Sequence, residues 1–344
     1  MAYQVGGTNR IKDDNTVTFK NVTVKNHYVF APLGPVQGTT SGYVSGGQPS
    51  APGYNGSNVI DKFPFSSDAN ATDVGDLTEA YVHRHSSGSS SSSNGYVAGG
   101  EGTFLYTPAG ARTSVIDKFP FSADQNASNI GDLAAAVSYA GGNSSSTHGY
   151  CTGGEKDPSP PGPPYTRVAD EIQKYSFSSD GNASDVANLL SQQIRLSGQS
   201  SPTHGYASGG GASSATNVIQ KFTFASDANA TDVGDLLSNN GYPGGGNSSL
   251  THGYASGNSP NGNVIQKFPF SSDTNATDVG DLSQGRASAA GQNSGSSGYV
   301  SGGSTFPPYV AVVTIDKFSF SSDANASDVG DLTQGRNNAA GQQV

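Results

Sequence analysis

Apolar and polar positions alternate along a short segment that recurs six times in this chain of 344 residues. In the first copy, at residues 58–65, one side of an extended strand carries Val59, Phe63 and Phe65. Ile60 falls on the other side, so both faces are partly apolar. A lone sheet with two apolar faces is insoluble, whereas a sheet stacked between similar sheets needs apolar residues on both. The pattern therefore predicts a ring or stack of sheets.

The recurring segment contains the phrase Lys-Phe/Tyr-x-Phe-Ser/Ala. Its copies begin at Lys62, Lys118, Lys174, Lys221, Lys267 and Lys317. A Gly-Tyr pair precedes each copy, and an acidic turn of the type Ser-Asp-x-Asn-Ala-Thr/Ser-Asp-Val-Gly-Asp-Leu follows it. The copies are 46 to 56 residues apart, a period close to that of four-stranded propeller blades. We therefore expect an all-β fold, a six-bladed β-propeller of four-stranded antiparallel blades.

The ends of the chain fit a closed ring. In the first repeat we expect strands at residues 42–47, 58–65 and about 74–77, and the fourth strand has its counterpart at 287–292. The propeller is predicted to span residues 37–344, and its C-terminal segment 335–344 matches residues 285–292, which contain that fourth strand. It would supply the innermost strand that the first repeat lacks. Pro64 and its copies lie inside a strand, which predicts an edge or a bulge there.

Composition and charge exclude several classes of function. Charged residues are only 13 % of the chain, Gly contributes 47 residues, and the formal net charge is −10. Long amphipathic helices are hard to build from this composition, and nucleic-acid binding would need clustered Lys and Arg. The chain has no apolar run of 18 residues, and its first residues do not resemble a secretory signal, so we expect neither a membrane span nor export by that route.

The repeats resemble the kelch family of β-propellers. The resemblance rests on a Tyr-containing strand that ends in a diglycine, on the variable loop after it, and on an Arg segment that leads into the next innermost strand. The chain departs from the family in having no Trp and in carrying Asn258 where the fifth diglycine needs its second Gly. The acidic turn is similar to the Asp-box of sialidase-type propellers, with Ser66, Asp68 and Asn70 in register.

The acidic turns and the histidines offer candidate metal ligands. Asp68, Asn70, Thr72 and Asp76 are spaced as in a calcium loop, but the Glu expected at the twelfth position occurs once, as Glu79. Ordinary Asx-type turns are the favoured interpretation. Histidines recur before the Tyr strand in only three of six copies, so we interpret them as turn residues: His148, His204 and His252. We expect no metal and no cofactor.

Enzyme chemistry has little support in the sequence. A sialidase needs an arginine cluster and paired carboxylates, whereas this chain has four Glu and its Arg residues are predicted at scattered loop positions. The copper oxidases that the kelch resemblance suggests use a crosslinked Cys, but Cys151 takes a position where other copies carry Val or Ala and is expected to be a small buried residue. The Asn-Ala-Thr/Ser sequons are interpreted as part of the turn.

Loop variation indicates where binding occurs. Alternating strand direction places the acidic turns and the Ser-rich loops, such as 86–94, on one face of the ring and the loops after the diglycines on the other. The latter differ in length and carry aromatic residues, which are frequent in binding hot spots. An alternative is that these aromatics pack on their own propeller. The candidate binding residues are Tyr54, Phe104, Tyr106, Tyr165, Phe306 and Tyr309.

The N-terminal segment, residues 1–36, lies outside the repeats. It is β-prone between residues 16 and 25 and carries a net charge of +2, against −12 for the remainder. A short strand that cannot bury itself alone is a candidate docking arm, although it could also pair with the outer edge of the propeller. The residues assigned to docking are Arg10, Lys12, Phe19, Lys20, Val22, Val24 and Lys25.

The repeat with its Lys-Phe-x-Phe-Ser-Ser-Asp-x-Asn-Ala-Thr sequence also resembles virion structural proteins of marine bacteriophages, cyanophages in particular. The resemblance implies a non-enzymatic tail fibre, neck fibre, knob or capsid decoration that docks to other virion proteins through its arm. Host-surface glycan or protein and further copies of the chain are candidate partners. It implies a location on the virion after synthesis in the host cytoplasm. The alternatives are a cytosolic kelch-type adaptor and a glycan hydrolase.

Overall fold

Six four-stranded antiparallel sheets form the blades of a β-propeller, as the repeat predicts. The computed structural model describes residues 37–50, 56–79, 85–102, 112–157, 167–258, 262–307 and 309–344. Within these ranges there is no helix, and so none that could cross a membrane. The all-β prediction and the number of blades are confirmed.

We number the blades 1 to 6 along the chain and count strands outward from the axis. The innermost strands, from blade 1 to blade 6, are Ala340–Gln343, Ser87–Ser90, Gly141–Ser144, Ser197–Ser200, Gly246–Ser248 and Ala290–Asn293. The second strands are Ser41–Ser45, Asn94–Ala98, His148–Lys156, His204–Ser208, His252–Asn258 and Ser297–Ser301.

The third strands carry the Lys-Phe phrase and end with it. They are Val59–Pro64, Val115–Pro120, Arg167–Ser176, Val218–Thr223, Gly262–Pro269 and Thr314–Ser319. The outer strands follow the acidic turns: Thr72–Asp76, Ser128–Asp132, Ser184–Asn188, Thr231–Asp235, Thr277–Asp281 and Ser327–Asp331. Short additional strands pair Gln48–Pro49 with Arg336–Asn337 and Ser304–Thr305 with Val310–Ala311, and Val137–Ser138 joins the sheet of blade 3.

The two ends of the repeat region meet in blade 1. Ala340–Gln343 pairs antiparallel with Ser41–Ser45, so that Tyr43 lies opposite Gln342. The innermost strand of blade 1 therefore comes from the C-terminal end of the chain, and its other three strands from the beginning of the repeat region. This pairing leaves the ring without an open sheet edge at its seam.

The prolines lie at an edge, as their position predicts. Pro64 is the last residue of the third strand of blade 1. The pairing with the outer strand ends two residues earlier, where Lys62 lies opposite Thr72. It therefore has no outer-strand carbonyl to bond, and its missing N–H costs nothing there. A register shift does occur in this strand, but between Ile60 and Asp61.

The hydrophobic core is divided into six clusters, each shared by two adjacent blades. Ile60 and Tyr43 of blade 1 face Phe119 and Phe121 of blade 2, with the Tyr43 ring 4.9 Å from that of Phe121. Phe63 faces the opposite way, into the cluster with blade 6. The two-sided apolar pattern of the third strand is therefore explained by burial on both faces. Equivalent Tyr–Phe contacts occur at the other five interfaces.

The Gly of each Gly-Tyr pair is required by the aromatic ring beside it. A Cβ atom on Gly42 would lie 2.4 Å from Cζ of Phe63, which is its partner across the sheet. The same clash would arise in every blade, because the third-strand aromatic covers the backbone of the second strand. The recurring Gly thus makes room for the recurring Phe.

Two expectations about these elements are wrong. Residues 86–94 were expected to form a Ser-rich loop, but Ser87–Ser90 is an innermost strand, and only the following turn projects from the sheet. Arg336 is predicted in a loop but lies in the short strand Arg336–Asn337, whereas Arg286 lies in a loop as predicted; both side chains are fully buried. Both arginines are paired inside the protein with buried aspartates of the third strands. Arg286 lies 3.2 Å from Asp316, and Arg336 lies 2.8 Å from Asp61. Cys151 is buried, as expected.

Candidate functional site

Strand direction gives the ring two different faces. The turn face carries the hairpins between innermost and second strands and the start of the acidic turns, and the described chain enters it at residues 37–40, where Gly38 N–H donates to Asn293 O at 2.7 Å. The loop face carries the connections between second and third strands and those from blade to blade. Sequence reasoning separated these two sets of loops in the same way.

The acidic turn of each blade holds the preceding blade. Lys62 of blade 1 contacts Asp124 in the turn of blade 2 at 2.9 Å, and Lys317 of blade 6 contacts Asp68 of blade 1 at the same distance. Four further pairs complete the circle: Lys118–Asp180, Lys174–Asp227, Lys221–Asp273 and Lys267–Asp323. The repeated Lys and Asp are therefore the two halves of one contact between blades.

The sequon Asn performs a similar role through its side chain. Oδ1 of Asn70 accepts from the backbone N–H of Asp331 in blade 6 at 3.0 Å, and the N–H of Ala71 donates to Asp331 O at 2.8 Å. The same bond occurs at the other five interfaces. Asp68 and Asn70, considered above as calcium ligands, therefore both contact the neighbouring blade.

A narrow channel runs along the axis of the ring. Its wall is tightest at one glycine in each innermost strand, where neighbouring backbones touch: a Cβ atom on Gly198 would lie 2.1 Å from the carbonyl oxygen of Gly142. A cavity of about 140 Å³ beside this layer is lined mainly by Ser, Gly and Ala. No large side chain fits where six backbones converge, so the channel wall is nearly uniform.

The mouth of the channel on the loop face differs in every blade. It lies three residues before the channel glycine, and we call these six positions the channel mouth: His85, Tyr139, Arg195, Pro243, Ser288 and Asn338. Tyr242 lies beside Pro243, and together these residues line an open cavity of about 90 Å³ that shares wall residues with the channel. A ring of six different side chains is therefore placed at the axis.

The backbone at the mouth is strained. Five mouth residues have φ between 56° and 61°, and they are the only non-glycine residues with positive φ in the described ranges. Such a conformation costs about 1–3 kcal/mol per residue and is found most often at functional sites. Backbone hydrogen bonds hold it: the N–H of Tyr139 donates to His85 O at 2.8 Å, and the N–H of Arg195 donates to Tyr139 O at 2.7 Å.

This ring of hydrogen bonds has a gap at blade 5. Three further bonds link Asn338, Ser288, Pro243 and His85 in the same manner. Pro243 has no N–H, so it cannot donate to the carbonyl of Arg195. The gap is bridged by side chains instead, since the Arg195 guanidinium carbon lies 4.3 Å from the centroid of the Tyr242 ring.

Aromatic and cationic side chains form one stack across four blades. The centroids of the His85 and Tyr139 rings are 3.6 Å apart, and the two ring planes meet at 28°. The guanidinium carbon of Arg195 lies 4.7 Å from the centroid of the Tyr139 ring. Tyr242 ends the stack and is 42 % exposed. The guanidinium thus makes cation–π contacts with two rings, which occupy none of its N–H groups as hydrogen-bond donors.

A polar cluster borders this stack on blades 2 and 3. Glu101 Oε1 accepts from Tyr139 Oη at 3.4 Å and lies 3.6 Å from His85 Nε2. Arg112 is nearly buried and contacts Glu155 at 2.8 Å and Asp157 at 2.7 Å. One arginine among three carboxylates leaves a net charge of −2 when His85 is neutral.

Only two of the predicted binding residues lie in the described ranges. Phe306 and Tyr309 occupy the blade 6 loop on the loop face, with their rings 4.9 Å apart in an edge-to-face arrangement, and Tyr309 is 41 % exposed. The other four lie outside the described residues: Tyr54, Phe104, Tyr106 and Tyr165. All seven docking-arm residues lie outside them too, and their role stays a prediction.

The recurring histidines begin second strands. His148, His204 and His252 each bond through Nδ1 to the Oγ1 of the preceding Thr, at 2.8 to 2.9 Å. Burial and the nearby third-strand lysines lower the pKa of all three. In the part of the chain that the structure describes, no group of three or more His, Cys, Asp or Glu side chains is arranged to hold a metal ion.

Sequence reasoning missed the channel mouth, although a signal was present. Aligning the six copies on the channel glycine, instead of on the Lys-Phe phrase, shows six different residues at the position three residues before it, close to a nearly constant strand. That the six would meet around one axis follows only from ring closure. No protein-family model matches this chain, and neither does any curated protein.

Proposed function

We propose that this protein is a non-enzymatic virion structural protein of a bacteriophage, attached through its N-terminal arm and displaying the loop face for recognition of the host surface. The observation that carries the recognition part is the contrast between the two sets of contacts. The contacts that join the blades are the same six times over, whereas the channel mouth carries a different residue in each blade. A rigid repeat that carries varied side chains on one face is the usual form of a recognition scaffold.

The described chain begins at the turn face. Residues 37–40, which continue from the arm, bond to the turn face of blade 6 and to the last residue of the chain. In the proposal, attachment uses the N-terminal arm and recognition uses the loop face. The phage assignment itself rests on the resemblance of the repeat sequence to virion structural proteins.

The non-enzymatic assignment is supported by how the loop-face carboxylates are used. Glu155 contacts Arg112, and Glu171 contacts Lys156. Glu101 accepts from Ser138 and Tyr139. A glycosidase needs one carboxyl group to donate a proton and a second to attack or activate water across a substrate cleft. Here these carboxylates serve the packing of blades 2 and 3.

Virion proteomics tests the assignment. Particles purified on a density gradient should contain the full chain at a fixed copy number, and a chain that lacks residues 1–36 should fold as the propeller, by circular dichroism, but fail to enter particles. A chain found only in the soluble fraction of the lysate would favour the cytosolic adaptor instead. Release of fluorophore from a fluorogenic sialoside would overturn the non-enzymatic assignment.

Recognition is tested separately. Purified propeller should compete with particles for adsorption to host cells, and Tyr309→Ser or Tyr242→Ser should weaken that competition, because each removes an exposed aromatic ring from the loop face. Leu250→Ser is a matched control, since Leu250 is equally exposed but lies in a turn on the opposite face. Equal competition by all three variants would refute recognition through the loop face.

A further inference from the structure

Arg195 is a cation with unused hydrogen-bond donors at the axis of the propeller. Its Nε is buried and has no partner, and within the described residues its guanidinium makes no hydrogen bond or ion pair. Stacking against Tyr139 and Tyr242 compensates part of its charge but none of its N–H groups. A buried donor without an acceptor is costly, so such a group in a native protein requires an explanation.

Glu101, the carboxylate that contacts the stack, does not fill this role. Both oxygens of Glu101 are engaged, one by Tyr139 and His85 and the other by Ser138, which donates at 3.3 Å. Arg112 also approaches Glu101, at 3.9 Å. Glu101 therefore makes no ion pair with Arg195, and Arg195 lines the cavity at the mouth.

The rest of the mouth is suited to a small polar ligand. Ser86, Ser288 and Asn338 bring hydroxyl and amide groups to the same cavity, and Tyr242 offers a partly exposed ring at its edge. Hydroxyl and amide groups bond to the hydroxyls of a sugar, and an exposed aromatic ring provides an apolar surface against which a pyranose can stack. The strained mouth backbone fixes these groups in place before a ligand arrives.

The charge around the mouth limits what the ligand can be. Guanidinium binds carboxylate in a planar, two-pronged geometry, so an acid is the preferred partner of Arg195. The cluster of Glu101, Arg112, Glu155 and Asp157 carries a net −2 nearby, and the whole chain carries −10. A densely charged polyanion or an acidic peptide would be repelled, whereas a single carboxylate in an otherwise neutral ligand would not.

We propose that the channel mouth binds one uronic acid unit of a glycan, with its carboxylate on Arg195 and its ring against Tyr242. This inference rests on the proposed function, since it names the chemistry that the loop face would recognise. Ser288 and Asn338 bond the sugar hydroxyls. The narrow glycine layer below the mouth prevents the ligand from passing into the channel.

The test uses a pair of probes that differ at one group. Methyl glucuronoside and methyl glucoside are titrated into the full chain and followed by NMR chemical shifts or saturation transfer, up to about 10 mM, as expected for single-sugar affinities. The acid should bind, and the neutral sugar should bind at least about tenfold more weakly, because it lacks the charge-assisted hydrogen bonds. Equal binding of the two sugars, or no binding of the acid, would overturn the inference.

Two variants locate the site. Arg195→Gln keeps a polar but shorter side chain, removes the charge, and should weaken uronate binding at least about tenfold, within the range of a charge-assisted hydrogen bond. Arg167→Gln makes the same change at an exposed position on the loop-face end of blade 3 and should leave binding within about twofold. Uronate binding that Arg195→Gln leaves unchanged would show that the acid binds elsewhere.

A third probe separates this inference from the proposed function. A short Glu-rich peptide should not bind, and if it bound more tightly than the uronate the partner would be an acidic protein. Particle incorporation and competition for adsorption do not depend on the outcome with uronate. They can succeed while the sugar fails, and in that case only the ligand assignment is lost.

Discussion

Replacing Arg336 with Gln should destabilise the propeller by about 3–5 kcal/mol, because it leaves the carboxylate of Asp61 buried without its counter-ion. Both side chains are fully buried, and Nη2 of Arg336 lies 2.8 Å from Oδ2 of Asp61. Thr333 continues to donate to the carboxylate, from its hydroxyl at 2.6 Å and its N–H at 3.0 Å. These two bonds place the expected loss near the lower end of the range.

Another blade carries a neutral side-chain pair in place of this ion pair. Blade 4 has Gln220 at the position of Asp61 and Gln193 at the position of Arg336, and their amides bond at 2.7 Å. The double variant Asp61→Gln, Arg336→Gln builds the same neutral pair in blade 1. It should lie within about 1 kcal/mol of the parent protein, because both charges leave together.

The buried guanidinium also carries a cost of its own. Nε and Nη1 of Arg336 are buried without hydrogen-bond partners, and burial lowers the pKa of this side chain against the opposing effect of Asp61. Exchanging the ion pair for two amides removes those unsatisfied donors. The ion pair is therefore expected to contribute specificity at the seam of the ring more than net stability.

Urea unfolding followed by circular dichroism and tyrosine fluorescence measures all four proteins of this double-mutant cycle. Asp316→Gln with Arg286→Gln repeats the cycle at the equivalent pair in blade 6, away from the seam. The reasoning is refuted if Arg336→Gln alone costs less than about 1 kcal/mol, or if the double variant is as unstable as the single one.

Three further predictions concern the repeat itself. Gly198→Ala should lower the free energy of unfolding in urea by about 1–3 kcal/mol, because its Cβ would meet the carbonyl oxygen of the neighbouring blade at 2.1 Å. Gly295→Ala has nothing within 4 Å of the added Cβ and should cost less than about 1 kcal/mol. Equal losses would contradict the tight packing of the channel wall. Burial raises the pKa of Cys151 to about 11 from its ordinary 9.0, so the unfolded chain loses this proton at a lower pH than the folded protein. The free energy of unfolding should therefore fall between pH 9 and pH 11, and by more in the parent protein than in Cys151→Ala. Parallel pH profiles of the two proteins would argue against a buried thiol. Lys221→Ala should cost no more than about 1 kcal/mol, since the lysine side chain is 22 % exposed and its Asp partner is more than half exposed. The loss should shrink in 1 M salt, which screens the ion pair. A loss that salt does not change would mean that packing of the lysine stem dominates.

The repeat predicted much of the fold because its signals are local. The two-sided apolar pattern of the third strand, the Gly beside each Tyr and the spacing of the copies are each contained within about 50 residues, and each reflects a blade packed between two others. The same local signals did not predict the Ser-rich innermost strand. Ser87–Ser90 carries hardly any apolar residue, because its surroundings are the backbones of neighbouring blades.

The contacts between blades were beyond the sequence for a different reason. Lys317 and Asp68 are 249 residues apart, and nothing local indicates that they meet. The same holds for Arg336, which reads as a loop residue until ring closure brings Asp61 to it and excludes water from both. Burial of a charge is decided by its distant partner, and a local pattern does not reveal that partner.

The sequence by itself determined six equivalent sheets, their apolar faces and the turn chemistry between their strands, since each of these depends on neighbours along the chain. Only the tertiary structure decided that His85, Tyr139, Arg195 and Tyr242 stack at one point, from four different blades. A circle brings together residues that have the same place in each repeat and no proximity in sequence. A site built at the axis of such a circle exists only once the ring has closed.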